Sequence, residues 1–171
     1  MREGDTHFAT IPAPRDFRFG LYRLKLHSMG SFSQMHGSCV SRDSDGVLLL
    51  GPPGSGKSDL VLRLLSRGFQ LVADDQVLVE NGVARPPPSL AGLLEVRGLG
   101  ILRLAHLAEA RLVLVAELGI PARLPEPRRH PSLDLPLVVI DAFAASAPEH
   151  VTLALNCVLG LVSRVCGAFA P

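Results

Sequence analysis

Short runs of apolar residues, separated by glycine-rich and polar turns, dominate the chain from about residue 36 onward. Residues 47–50 are all apolar, which predicts a strand buried on both faces. Apolar residues recur at helical spacing over residues 59–67, so we expect a helix there that ends at Gly68. Residues 71–73 predict a second buried strand, which leads directly into two aspartates.

The following part of the chain favours strands over helices. Residues 77–80 are predicted to form a strand, and Asn81 and Gly82 after it are the strongest short signal for a β-hairpin. Residues 93–104 contain Gly98 and Gly100, which favour a functional loop or a bent strand over a helix. Further on, we expect strands over 111–116 and 137–140, a mobile loop over 121–136 and a C-terminal helix over 149–165. This mixture predicts an α/β domain with a mixed sheet.

The first part of the chain and its composition limit the class of protein. Residues 1–34 mix proline, glycine, serine, histidine and arginine without periodicity, which predicts a poorly ordered arm before a folded domain over residues 35–171. A net charge of +1 argues against a general nucleic-acid-binding protein. No segment has the roughly 18 apolar residues of a membrane span, so we expect a cytoplasmic protein with no membrane partner. Cys39, Cys157 and Cys166 lack C-x-x-C spacing, and we expect three buried thiols.

A phosphate-binding pattern lies between the first predicted strand and the first predicted helix. Glycines there let backbone N–H groups turn towards an anion, and the helix N-terminus adds its positive dipole end. Lys57 is one of only two lysines among 17 basic residues, and its flexible ammonium suits the β- and γ-phosphates, while the Ser58 hydroxyl suits Mg²⁺. The pattern as a whole predicts nucleotide binding, and the guanine-specific N-K-x-D motif is absent. Eight residues fit G-x-x-x-x-G-K-[ST] in full: Gly51, Pro52, Pro53, Gly54, Ser55, Gly56, Lys57 and Ser58.

Two adjacent carboxylates, Asp74 and Asp75, follow this loop after only one helix. Adjacent side chains of an extended chain point to opposite faces, so one aspartate can face the metal and the other a substrate hydroxyl. Two carboxylates beside Mg²⁺ can divide metal binding and proton transfer between them. The other interpretation of the pair is a solvated acidic turn before the hairpin.

Several of these stretches together resemble the catalytic domain of HPr kinase/phosphorylase. The resemblance is strongest over residues 35–105, and the sequence E-[IV]-R-G-x-G-I at residues 95–101 is its most specific part. The other matching stretches are residues 35–37, 51–58, 67–68 and 71–75. The resemblance implies a P-loop kinase fold related to phosphoenolpyruvate carboxykinase, with the acidic strand directly after the P-loop helix.

The resemblance also implies an activity and its partners. It implies ATP- and Mg²⁺-dependent phosphorylation of a serine on HPr, the small phosphocarrier protein of a phosphotransferase system, reversed by phosphorolysis at the same site. It further implies a homo-oligomer, which is a hexamer in the family. Carried over by motif, Lys57 binds phosphate, Ser58 and Glu95 ligate Mg²⁺, and the catalytic group is His36, Asp74, Asp75 and Arg97. Asp75 is the preferred proton acceptor, with Asp74 supporting it, and Arg97 shapes the site.

Two departures from the family pattern affect the expected activity. Typical members carry an additional N-terminal domain, and short forms like this chain resemble those of alphaproteobacteria. Typical members also carry an Arg-Pro-Gly-Arg-Asn loop before the C-terminal helix, where residues 141–147 here contain no arginine. Phosphorolysis brings anionic phosphate to an anionic phosphoserine and therefore needs more positive charge than the kinase reaction. We expect a kinase with weak or absent phosphorylase activity.

Two rival functions remain open at the level of the sequence. Arg123, Arg128 and Arg129 could form a phosphate-clamping lid, which would favour a small-molecule kinase. A non-catalytic nucleotide sensor could instead signal through the C-terminal helix, although such a module does not require the two aspartates, Glu95 and His36.

Overall fold

The computed structural model of the protein describes residues 33–169. The predicted arm over residues 1–34 lies outside the described residues except for its last two, which open the first strand. The elements in chain order are β1 Ser33–Arg42, β2 Asp45–Leu50, α1 Lys57–Leu65, β3 Gln70–Ala73, β4 Gln76–Glu80, β5 Val83–Arg85, β6 Leu93–Val96, β7 Gly100–Arg103, β8 Ala110–Leu118, β9 Arg128–Arg129, β10 Pro136–Ile140 and α2 Ala147–Val158.

Eight of the ten strands within residues 33–169 form one mixed sheet, as the sequence predicts. β8 runs parallel to both β2 and β10, whereas β1 pairs antiparallel with β2, β3 and β4. β5 pairs antiparallel with β4 and with the first residues of β8, so β1, β2, β8, β5 and β4 close into a ring. β6 and β7 form a separate two-stranded hairpin. The fold is that of a mixed α/β domain with more residues in strands than in helices.

The sheet has a hydrophobic cluster on each face, because successive side chains of a strand point to opposite sides. On β2, Val47 and Leu49 belong to the cluster that also contains buried apolar residues of α1 and α2. Leu48, between them, belongs to the second cluster, which contains residues of β3, β4, β5 and β8. All three side chains are fully buried, as expected for an all-apolar strand covered on both faces.

Helix α1 is close to its prediction over residues 59–67. It begins two residues earlier, because Lys57 and Ser58 of the phosphate-binding pattern already form its first turn. Leu60, Val61 and Leu64 are buried on one face, as the spacing predicts. Gly68 has a φ of 83°, and the Phe69 N–H donates to the carbonyl of Leu64 at 3.2 Å, which closes the C-terminus in the expected way.

The C-terminal helix was predicted to run to residue 165, and this is wrong. α2 ends at Val158, because Gly160 takes a φ of 74° and the Leu161 N–H donates to the carbonyl of Asn156 at 2.9 Å. These two features form a glycine C-cap that turns the chain out of the helix.

Three further expectations need correction. Residues 121–136 are not wholly a loop, because β9 lies within them and pairs antiparallel with β10. Only Cys39 is a buried thiol, whereas Cys157 is half-buried and Cys166 is exposed. Strand β1 was not predicted, since its buried positions include the polar residues Ser38 and Ser41. Within residues 33–169, no helix is both long enough and apolar enough to cross a membrane.

Candidate active site

The phosphate loop connects β2 to α1 and carries two glycines in the left-handed region. Gly54 has a φ of 80° and Gly56 a φ of 91°, a conformation that other residues adopt only with strain. Gly51 is required for a different reason, since a Cβ atom there would lie 2.7 Å from the Ser55 hydroxyl oxygen. The Gly56 carbonyl accepts the Leu60 N–H at 2.9 Å, so α1 starts directly at the loop. The loop therefore has the backbone that an anion nest requires.

The Lys57 ammonium lies over this loop. Its Nζ donates to the carbonyl oxygens of Gly51 at 2.8 Å and Pro52 at 3.0 Å, and the side chain is largely buried. These contacts hold a positive charge at the mouth of the loop, where it can neutralise a bound phosphate.

Asp74 is buried and faces the start of α1. Its carboxylate accepts hydrogen bonds from the Ser38 hydroxyl at 2.6 Å and from the Ser58 hydroxyl at 2.9 Å. Only 6% of the residue is exposed, so Ser38 on β1 and Ser58 on α1 replace most of its contact with water. Asp74 is thereby fixed beside the hydroxyl that the sequence assigns to the metal.

The side chain of Asp75 does not follow that of Asp74 towards α1, because the Asp75 backbone adopts a φ of 67° at the turn between β3 and β4. Its carbonyl accepts the Gly37 N–H at 3.1 Å, and its carboxylate oxygen lies 3.3 Å from the His36 Nδ1. The side chains of Asp75 and His36 are 64% and 50% exposed. The two neighbouring aspartates thus differ in burial, partners and direction.

One cavity of about 600 Å³ brings the predicted residues together. A volume of this size is within the range of small-ligand sites. The β6–β7 hairpin contributes Glu95, Val96 and Arg97 to its walls. The loop residues Gly51, Pro52 and Ser55 do not line it. The other lining residues are His36, Pro53, Gly54, Gly56, Lys57, Ser58, Asp59, Leu62, Asp74, Asp75 and Phe143.

The oxygen atoms at the base of this cavity fit a magnesium ion. Ser58 and Asp74 place a hydroxyl and a carboxylate side by side, and Mg²⁺ bound with a nucleotide typically takes one or two protein oxygens together with phosphate and water. Within residues 33–169, no cluster of three or more histidine, cysteine or acidic side chains could hold a metal alone. Glu95 lines the cavity, but no hydrogen bond joins it to Ser58 or Asp74 among the contacts of these residues.

A model of the HPr Serine kinase C-terminal domain family matches residues 27–116, which is more than half of the chain. The chain belongs to this family. The structure of the Hpr(Ser) kinase/phosphatase from Coxiella burnetii is similar, with 25% sequence identity and a TM-score of 0.64. That likeness covers 75% of this chain and 92% of the Coxiella chain. The domain therefore has the P-loop-type kinase fold of HPr kinases and belongs among kinase/phosphatase enzymes of this type.

Two residues of this HPr kinase domain were missed by sequence reasoning. Ser38 gives no signal in the sequence, because its importance comes from a hydrogen bond to Asp74, 36 residues away. Phe143 lines the cavity although it lies outside the stretch matched by the family model. The sequence signal that could have identified Phe143 is that it is an aromatic residue among small residues.

The arginines considered as a phosphate-clamping lid do not line this cavity. Arg128 lies on β9, 3.9 Å from the Glu117 carboxylate, and lines a second cavity. Arg129 bonds the side chain of Asp134 at 2.6 Å. Arg123 is exposed and lines neither of the two cavities. The arrangement of residues 33–169 therefore gives the interpretation as a lid no support.

Proposed function

We propose that the protein is an ATP- and Mg²⁺-dependent protein-serine kinase of the cytoplasm that phosphorylates an HPr-type phosphocarrier of a phosphotransferase system. The observation that carries the proposal is that two neighbouring carboxylates in one cavity have different surroundings. The buried carboxylate of Asp74 is bonded to the Ser58 hydroxyl, while the exposed carboxylate of Asp75 lies beside His36. Phosphoryl transfer to a hydroxyl needs both a metal-facing and a proton-accepting group.

The phosphate loop and Lys57 would bind and orient the triphosphate. The loop offers backbone N–H groups at the start of α1, and the Lys57 ammonium adds a full positive charge. Ser58 and Asp74 would hold Mg²⁺, with Glu95 on the β6–β7 hairpin as a further oxygen ligand. The bound ion supplies charge neutralisation for the transferring phosphoryl group. Arg97 on the same hairpin would stabilise the charge that develops on the equatorial oxygens.

Asp75 would accept the proton from the acceptor serine. As the serine oxygen bonds to the γ-phosphorus, the bond from this phosphorus to the bridging oxygen breaks and ADP leaves. The hydroxyl proton passes to the Asp75 carboxylate, which is accessible to a protein substrate at 64% side-chain exposure. Asp74 is less suited to this step, because two hydroxyl donors already occupy its buried carboxylate. His36, 3.3 Å from Asp75, would orient the carboxylate.

A labelling experiment tests the proposal against its two rivals. Purified protein is incubated with Mg²⁺ and γ-labelled ATP, once with an HPr-type carrier and once with candidate metabolites. We expect label on a serine of the carrier, and no label with the Lys57→Ala variant. Label only on a metabolite would show a small-molecule kinase, and ATP binding without any labelled product would show a nucleotide sensor. Neither rival is favoured by the geometry of residues 33–169.

A further inference from the structure

Phe143 is an exposed aromatic ring at a place where the fold gives it no packing role. It is 74% exposed, whereas Phe69 is buried and Phe169 packs against the main hydrophobic cluster. Exposing most of a phenyl ring to water is unfavourable by comparison with burying it. An exposed ring that also lines a ligand-sized cavity is therefore a candidate for contact with the ligand.

The ring lies directly beside the phosphate loop. A Cβ atom added to Gly56 would be 3.4 Å from the Phe143 Cε1 atom and 3.5 Å from its Cζ atom. The same Cβ would be 3.2 Å from the Cβ of Ala142. The residue that precedes Lys57 and the edge of the Phe143 ring are thus immediate neighbours, and a nucleotide held by the loop has to pass close to the ring.

The backbone around Phe143 is fixed although its side chain is exposed. The Phe143 N–H donates to the Asp141 carboxylate at 2.9 Å. The guanidinium of Arg63 on α1 donates to the carbonyl oxygens of Ala142 and Ala144, on either side of the ring. α1 therefore carries both the start of the phosphate site and the clamp that positions the ring. A ring on a fixed backbone loses little conformational entropy when a ligand covers it.

The cavity has apolar as well as ionic walls. Lys57, Ser58 and the two aspartates suit a metal-bound triphosphate, whereas Phe143 and Leu62 suit a flat apolar group. Leu62 is one helical turn beyond Asp59 and Ser58 on α1, is 40% exposed, and also lines the cavity. A nucleoside triphosphate presents these two chemistries together, and aromatic side chains bind nucleobases through their π-faces.

We propose that the Phe143 ring stacks against the base of the nucleotide that the phosphate loop holds. This inference rests on the proposed function, because it requires a nucleoside triphosphate at the loop. It assigns affinity for the base to the segment that replaces an arginine loop in typical family members. Stacking of this kind contributes between about 5-fold and about 150-fold in affinity for one base.

The test compares ATP with inorganic tripolyphosphate, which has the phosphates and no base, by calorimetry in the presence of Mg²⁺. For Phe143→Ala we expect ATP affinity to fall by between about 5-fold and about 150-fold while tripolyphosphate affinity stays the same. Phe143→Tyr should keep the affinity for ATP, and Phe143→Leu should behave like the alanine variant, because it is apolar without a π-face. Leu161→Ala is the matched control, since Leu161 is 72% exposed and does not line the cavity.

The outcomes separate this inference from the proposed function. Equal affinity of the unaltered protein for ATP and tripolyphosphate would overturn the stacking and leave the phosphate site standing. Binding of neither compound would overturn both. Equal losses for the two compounds in Phe143→Ala would mean that the ring only shapes the loop. A raised KM for the carrier protein with unchanged ATP affinity would assign the ring to the protein substrate instead.

Discussion

Replacing Asp75 by asparagine separates proton transfer from metal binding. Asparagine keeps the shape of the side chain and tolerates the left-handed backbone of this position, whose φ is 67°, so the turn should remain unstrained. The contact with His36 is at 3.3 Å between two exposed side chains, and even an exposed ion pair contributes only about 0–1 kcal/mol. The free energy of unfolding should therefore change little.

The expected kinetic effect is much larger. Loss of a general base lowers turnover by roughly 10²- to 10⁴-fold, which corresponds to about 3–5 kcal/mol of transition-state stabilisation. Since no hydrogen bond joins the Asp75 carboxylate to Ser58 or the phosphate loop, ATP affinity should change by no more than about 5-fold, the equivalent of one exposed ion pair. The assay is steady-state phosphorylation of the carrier together with ATP binding measured by calorimetry.

Asp74→Asn is the matched variant for this test. Its carboxylate is 6% exposed and accepts two hydroxyl donors, and hydrogen bonds to a charged group contribute about 1.5–3 kcal/mol each. We expect this variant to lose ATP affinity in the presence of Mg²⁺ and to unfold at lower temperature. If Asp75→Asn lost ATP affinity and turnover equally, Asp75 would be a metal ligand and the base would have to be Asp74.

Further predictions concern the phosphate loop, the direction of the reaction and the buried thiol. Lys57→Ala should lower turnover by at least about 10²-fold while far-ultraviolet circular dichroism keeps the native spectrum; near-normal turnover would contradict the assignment of the loop. Phosphorylated carrier with Mg²⁺ and excess phosphate should release pyrophosphate far more slowly than the forward reaction runs. The reason is that Arg63, which contacts the segment before α2, is already bound to the carbonyls of Ala142 and Ala144; comparable rates would refute this. Burial raises the pKa of the Cys39 thiol from 9.0 to about 12, so an alkylating reagent at pH 9 should modify Cys166 in the native protein and Cys39 only after unfolding. Because the unfolded thiol ionises first, this group should lower the free energy of unfolding as pH rises from 9.0 towards 12, which urea titrations of the protein and of Cys39→Ala can compare.

The elements that were predicted correctly are those whose signals are local. β2, α1 and β3 follow from the apolar run, the helical spacing and Gly68, all of which lie within a few residues of the element itself. The turn at Asn81 and Gly82 is of the same kind, since both residues have the positive φ that the pair favours. The phosphate loop belongs here too, because its conformation is set by its own glycines.

The features that could not be predicted from the sequence depend on contacts between residues far apart in the chain. β1 contains buried serines that would suggest a loop, and Ser38 is accommodated only because Asp74 accepts its hydrogen bond. Phe143 reaches the phosphate loop because Arg63 binds the carbonyl of Ala142, which lies 79 residues after it in the chain. The end of α2 is different, because Gly160 was a readable local signal that the apolar residues after it outweighed.

The pairing of β2 has a consequence for the order in which the domain folds. One edge of β2 is satisfied by the neighbouring β1, but the other edge pairs with β8, where Asp45 lies opposite Arg111. Such a long-range pairing has to overcome the entropy of closing a loop of more than 60 residues. The ribosome therefore synthesises the phosphate loop, both aspartates and the β6–β7 hairpin before it synthesises β8, the strand that pairs with β2. Until β8 arrives, the free edge of β2 is an exposed apolar template for pairing with other chains, so synthesis halted before residue 110 should give an aggregating fragment and no nucleotide site.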